Sequence, residues 1–179
     1  MIQKKHLTVA VLGAQDTILL TPEILEHARE IGRQLALHGV TVATASVAGF
    51  GMWAALGAYE ESGLVIGFSP ASSEVEHRQH FRQPLDYLHT VVFTGFGYLG
   101  RDIVMARSVD AVIIGLSDMD TAHELISSVY ANKPVFVIRN NYSDEQIQEM
   151  VGDVFSHAQI IESVEHLADH LDIVLDSKK

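Results

Sequence analysis

Hydrophobic positions in this chain fall into short, unbroken, β-branched runs separated by stretches at helical spacing. Leu7 to Gly13 is the first such run. Val40 to Ala45, Leu64 to Phe68, His89 to Phe93, Asp110 to Gly115, Pro134 to Ile138 and Gln159 to Ile161 follow. Such runs have the length and composition of buried strands. Between the first two, Thr21-Pro22 supplies an N-cap and a first-turn proline for a helix running to about His38. Its inward residues are Ile24, Leu25, Ala28, Ile31, Leu35 and Ala36, and Gly39 is its stop. Further helices are predicted over Met52 to Ser62, Arg101 to Ser108, Thr121 to Ala131 and Ser143 to Phe155, and Ser163 caps a last amphipathic one. Strands alternating with helices require right-handed crossovers, hence a mostly parallel sheet covered on both faces. The expected fold is α/β, a Rossmann-like three-layer sandwich of about seven strands. It occupies a single domain over 1–179.

One segment breaks the rhythm. Ala71 to Tyr87 is long and polar, and reads as a lid or an interface rather than core. Its HRQHFR stretch, His77 to Arg82, is the only concentrated positive charge in the chain. A solvated loop or subunit contact is the favoured reading, ahead of a lid over an anionic ligand.

Composition narrows the function classes. With 179 residues, 47% of them hydrophobic, the chain can bury a full core. It has no cysteine, which excludes disulfides and thiolate sites and fits a reducing compartment. The opening MIQKKHLTVAVLG lacks the apolar stretch of a cleavable signal. No apolar run approaches the roughly 20 residues of a membrane helix, so a cytoplasmic, non-membrane protein is expected. Net charge is −11, from 23 acidic and 12 basic residues, and the lysines and arginines are scattered. A nucleic-acid binder needs a basic face, so that role is excluded at this level. Glu162, His166 and His170 share one face of the last helix, but a solvated stripe outweighs a metal site there, and no metal is expected.

Candidate chemistry concentrates between Arg107 and Ile138, which read as strand, tight loop, helix, strand. A helix starting at the carboxyl end of a parallel strand presents free N–H groups and a positive dipole end, which suits an anion. The loop here is Ser117-Asp118-Met119-Asp120, without glycine. As a cap, either aspartate is worth on the order of 1 kcal/mol. Against a phosphate about 5 Å away each costs roughly 3 kcal/mol at an effective dielectric near 20. The dipole returns only about 0.3–2 kcal/mol, so repulsion wins unless a cation intervenes.

Two segments carry a resemblance. TASVAGFGMWAALGAYEESGLVIGFSP, residues 44–70, resembles the part of LONELY GUY-type proteins that reads as a triple-glycine turn, Gly-x-Met and a helix ending Gly-Ala. GFGYLGRDIVMARSVDAVIIGLSDMDTAHEL, residues 95–125, resembles their Arg-Asn helix, Ser-x-Asp-Ala-Val strand and Pro-Gly-Gly-x-Gly-Thr-x-x-Glu loop. The likeness is nearest to the molybdenum cofactor carrier subgroup, also labelled possible lysine decarboxylases. It runs through residues 7–140, and the departures within it bear on function. The triple glycine is Ala45-Ser46-Val47, and the second glycine loop keeps only Thr121 and Glu124. Arg101 and Glu124 occupy the positions of the catalytic pair of the phosphoribohydrolase members, but Asp102 follows the arginine where relatives have lysine or asparagine.

The resemblance implies a nucleotide or molybdopterin-like ligand. The binding residues would be Ser46, Gly49, Gly51, Met52, Gly97, Arg101, Ser117, Asp118, Asp120, Thr121 and Glu124. Phe50, Trp53 and Tyr98 are placed either to stack on a flat ring or, equally, to pack in the core or against a subunit. The first expectation is a cofactor-carrier-like protein that holds a small phosphorylated ligand without turnover. The alternatives are a nucleoside 5′-monophosphate phosphoribohydrolase using Arg101 and Glu124, and a degenerate, non-binding scaffold. A homodimer or higher homo-oligomer is expected, with Trp53 and Phe50 as its exposed apolar patch.

Overall fold

The computed structural model describes residues 7–115, 119–138 and 143–161. Seven strands form one sheet: β1 (Thr8–Gly13), β2 (Thr41–Thr44), β3 (Val65–Ser69), β4 (Thr90–Phe93), β5 (Ala111–Gly115), β6 (Val135–Ile138) and β7 (Ala158–Ile161). Their order is β4-β3-β2-β1-β5-β6-β7, and every pairing is parallel. The chain reverses its direction of travel across the sheet between β1 and β5, the position where such folds open a crevice at their carboxyl edge.

Alternation along β1 splits the core into two layers. Val9 and Val11 face a layer built with Ala28, Ile31 and Leu35 of α1 (Pro22–Leu37) and Phe50, Ala54 and Ala58 of α2 (Phe50–Glu60). Ala10 and Leu12 face the opposite layer. It includes Met105 of α4 (Gly97–Ser108), Leu125 of α5 (Met119–Tyr130) and Ile147 of α6 (Asp144–Val151). A short helical turn, α3 (Glu74–Glu76), followed by a π-turn over His77–Phe81, lies between β3 and β4. Helices α1 and α2 cross closely because two glycines sit at the contact. A Cβ on Gly32 would lie 1.8 Å from Ala54 O, and one on Gly57 1.9 Å from Arg29 O.

Several boundaries differ from those read in the sequence. Helix α2 begins two residues early, at Phe50, after Gly49 turns the chain with φ 89°. Helix α4 begins at Gly97 rather than Arg101, so the glycine-rich stretch is its first turn. The helix expected through Phe155 stops at Val151, where Gly152 takes φ 61° and a 3₁₀ segment follows. The helix capped by Ser163, with Glu162, His166 and His170, lies outside the described residues.

The segment from Ala71 to Tyr87 is anchored, not simply solvated. His77 is fully buried, its Nδ1 2.8 Å from Ser69 Oγ and its Nε2 3.3 Å from Pro84 O. A carbonyl only accepts, so Nε2 carries the proton and Nδ1 accepts from the Ser69 hydroxyl. The expected patch at Phe50 and Trp53 is also corrected. Phe50 has no exposed surface, and Trp53 packs against the core. The Phe50 ring fills the space over the ends of β1 and β5, where Cβ atoms on Gly13 and Gly115 would come within 2.8 Å and 2.7 Å of it. Large apolar residues are exposed at several places, and four of them gather about α4 and α5: Phe96, which caps α4, Leu99, Ile103 and Tyr130.

Candidate functional site

The residues that the sequence singles out meet where the β2–α2 turn, α4 and the start of α5 converge at the carboxyl edge. Helix α4 places Arg101 on its inward face, where the side chain has no exposed surface. Its Nε and Nη2 donate to Asp102 Oδ1 over 2.9 and 2.6 Å, and its Nη1 donates to the Ala45 carbonyl, just past β2, over 3.1 Å. The guanidinium carbon stands 5.3 Å from the Tyr98 ring centroid. Glu124, in α5, is 2% exposed and brings Oε1 to 3.8 Å from Arg101 Nη2. The two residues of the expected pair are therefore neighbours, but both are enclosed. Asp102, the departure after the arginine, is what holds the guanidinium. A buried charge is tolerated only when paired and hydrogen-bonded, and the carboxylate supplies both.

Around this pair the other candidates divide. Thr121 is fully buried at the start of α5. Ser46 is buried with φ 51°, and its Oγ has no hydrogen-bond partner among the described residues; Gly67 makes room for it, since a Cβ there would lie 2.2 Å from that oxygen. Gly49 and Gly51 serve close packing of the chain on itself. Their Cβ atoms would meet Ala14 O at 2.0 Å and Val11 O at 3.0 Å. Met52 is half-buried beside a small cavity that it lines with Thr44, Ser46 and Val47. Gly97, with φ 65°, has open space around it. Ser117 and Asp118 lie outside the described residues, as does the side chain of Asp120.

Two features escaped the sequence reading. Gln83, from the polar segment between β3 and β4, accepts the Ala48 N–H over 3.0 Å. That backbone donor belongs to the turn where relatives carry glycines, and here a side chain of the same chain takes it. At the first turn of α2, Phe50 N–H likewise donates to Ala14 O over 2.9 Å. The other feature is His123, whose Nδ1 lies 3.0 Å from Asp102 Oδ2. Neither residue belongs to a recognised motif. The alternation of polar residues in DTAHEL held no signal that His123 would face α4.

A doubly wound, all-parallel sheet with an arginine–glutamate pair at its carboxyl edge places the chain in the LONELY GUY-like, Rossmann-type superfamily. Residues 6–168 match the model of the SLOG cluster4 family, and the chain belongs to that family. No curated protein matches the sequence. Among solved structures, a molybdenum cofactor binding protein from the phototrophic bacterium Rippkaea orientalis is 22% identical, with a TM-score of 0.81 over 97% of this chain and 99% of that one. The molybdenum cofactor carrier protein of Chlamydomonas reinhardtii is also 22% identical, with a TM-score of 0.77 over 96% and 99%. DNA processing protein A of Helicobacter pylori, described by its single-stranded DNA binding mode, is 23% identical, with a TM-score of 0.65 over 92% and 80%. At these identities the likeness is one of fold. Among the described residues no helix is long and apolar enough to cross a membrane.

Proposed function

We propose that the protein is a cytoplasmic binding protein of the cofactor-carrier type. It holds a small phosphorylated heterocycle, a nucleotide or a pterin, at the carboxyl edge of the sheet without turning it over. The observation that carries this reading is the enclosure of Arg101, whose guanidinium is engaged by Asp102 and Ala45 and has no exposed surface. Hydrolysis depends on catalytic groups placed against the reacting bond, and an enclosed pair cannot be placed there. The cofactor named for the Rippkaea and Chlamydomonas proteins, which share the fold, makes a pterin the first ligand to try. DNA is a poor ligand for this chain, since its net charge of −11 opposes a polyanion.

A second reading is kept by one observation, the 3.8 Å approach of Arg101 to Glu124. In that reading the pair opens on a nucleoside 5′-monophosphate and cleaves its N-glycosidic bond. Thermal unfolding of ligand-stripped protein against a panel of nucleotides and pterins tests the first reading. A ligand at 100 times its Kd adds about 2.7 kcal/mol of stability. Incubation with adenosine monophosphate, with free adenine assayed by chromatography, tests the second. Little or no adenine is expected; turnover that vanishes in Glu124→Ala reverses the order of the two readings.

A further inference from the structure

Among the described residues, the hydrogen-bonded cluster around Arg101 has one member that reaches solvent. His123 is 34% exposed at its side chain, and its Nδ1 stands 3.0 Å from Asp102 Oδ2. A carboxylate only accepts, so Nδ1 is the donor. Its Nε2 has no hydrogen-bond partner among the described residues. Asp102 is fixed in turn, because its other oxygen takes two N–H groups from Arg101. The imidazole is thus oriented by a buried carboxylate that a buried guanidinium holds in place. Proteins use such an arrangement to keep an imidazole in one tautomer and to stabilise the imidazolium when it forms.

Among the described residues, the rest of the edge offers an anion little. Arg101, Thr121, Glu124 and Ser46 are buried, and the Ala48 N–H is taken by Gln83. Among the described residues, the charged groups in line with His123 are Asp102 on α4, in contact with its Nδ1, and Arg101 behind that carboxylate.

We propose that His123 is the group through which this cluster contacts its ligand. Nε2 takes up a proton from solvent and donates it as a hydrogen bond to an anionic phosphate oxygen, and Asp102 acts as the positioning residue. This rests on the carrier reading for the ligand's class. It departs from that reading in placing recognition on an exposed imidazole instead of on glycine loops.

Calorimetry with adenosine monophosphate and with inorganic pyrophosphate tests it. Repeating each titration in buffers of different ionisation enthalpy reads proton uptake directly. Uptake approaching one proton per site is expected, absent in His123→Gln, with affinity in that variant about tenfold or more weaker. Asp102→Asn should retain the imidazole but shift its ¹⁵N resonances toward the other tautomer and weaken binding as well. A change in affinity without a change in tautomer would assign Asp102 a merely structural role and remove it from the proposal. Wild-type affinity and unchanged proton uptake in His123→Gln would overturn the inference while leaving the carrier reading standing. If neither probe bound but a pterin did, equally in wild type and His123→Gln, the inference would fall alone. If no nucleotide, pyrophosphate or pterin bound, both would fall.

Discussion

Arg101 shows how one residue changes meaning with its neighbour. Its guanidinium lies among Asp102, Glu124 and the Ala45 carbonyl, so its removal takes a buried positive charge away from two buried carboxylates. Breaking a buried pair from one side costs about 3–5 kcal/mol. Arg101→Met should therefore lower the urea midpoint by that amount of stability even with no ligand present. A solvent-facing ligand contact would change it by tenths. Replacing Phe50, whose ring lies over Gly13 and Gly115, should cost about 3–5 kcal/mol as Phe50→Ala through the cavity left behind. The position of Arg101 was legible in the sequence because a motif fixes it. Its enclosure was not, because Asp102 reads in sequence as a departure from a lysine or asparagine and only in three dimensions as a counter-ion. The sequence does not reveal the burial of Phe50, because the space above two strand-end glycines exists only once β1 and β5 are paired.

At the scale of elements, the strands and most helices were legible because each apolar run is long enough to be unambiguous, and the capping residues of α1 mark its start. The 71–87 segment was not, since its order comes from contacts that only the folded chain brings together, such as Ser69 to His77 and Ala48 to Gln83. Burial pushes the His77 imidazole below its ordinary range. The Pro84 carbonyl opposes the shift, Arg78 reinforces it and Glu74 opposes it. The unfolded chain therefore binds a proton at pH values where the folded one does not. This contribution is complete above about pH 6.5 and is lost as pH falls below it, by at most about 1.4 kcal/mol for each pH unit. Protection factors for hydrogen exchange across residues 71–87 should fall on mild acidification in wild type and be less pH-dependent in His77→Gln. Identical pH profiles for the two proteins would mean that His77 does not couple the segment to protonation. The two close-packed glycines of α1 and α2 give a sharper case. Gly32→Ala and Gly57→Ala should each destabilise strongly, because the atoms they meet are backbone carbonyls that cannot swing aside.

For the whole molecule, the question is what covers the α4–α5 face. Phe96, Leu99 and Ile103 recur at three- and four-residue spacing along α4, with 70%, 63% and 51% of their surface exposed. Next to them a groove of about 280 Å³ runs between Ile103, Arg107, Ile126 and Tyr130. Apolar residues contiguous on one face mark an interaction surface more often than chance exposure. We propose that a second copy covers this face. Facing copies of a single helix stripe can meet about a two-fold axis with each residue contacting its own symmetry mate or a near neighbour, the arrangement of most homodimers. The surface lies next to Tyr98 and Arg101, so association would also shield the edge where ligand binding is proposed. A stable interface of this kind buries about 800 Å² on each partner, and two aspartates at its centre would have to be desolvated without partners. Leu99→Asp with Ile103→Asp should therefore convert the dimer to a monomer at micromolar concentration, measured by light scattering, and leave the fold intact because both positions are exposed in the protomer. A wild-type mass equal to one chain under the same conditions would remove the dimer and leave the stripe to a different partner.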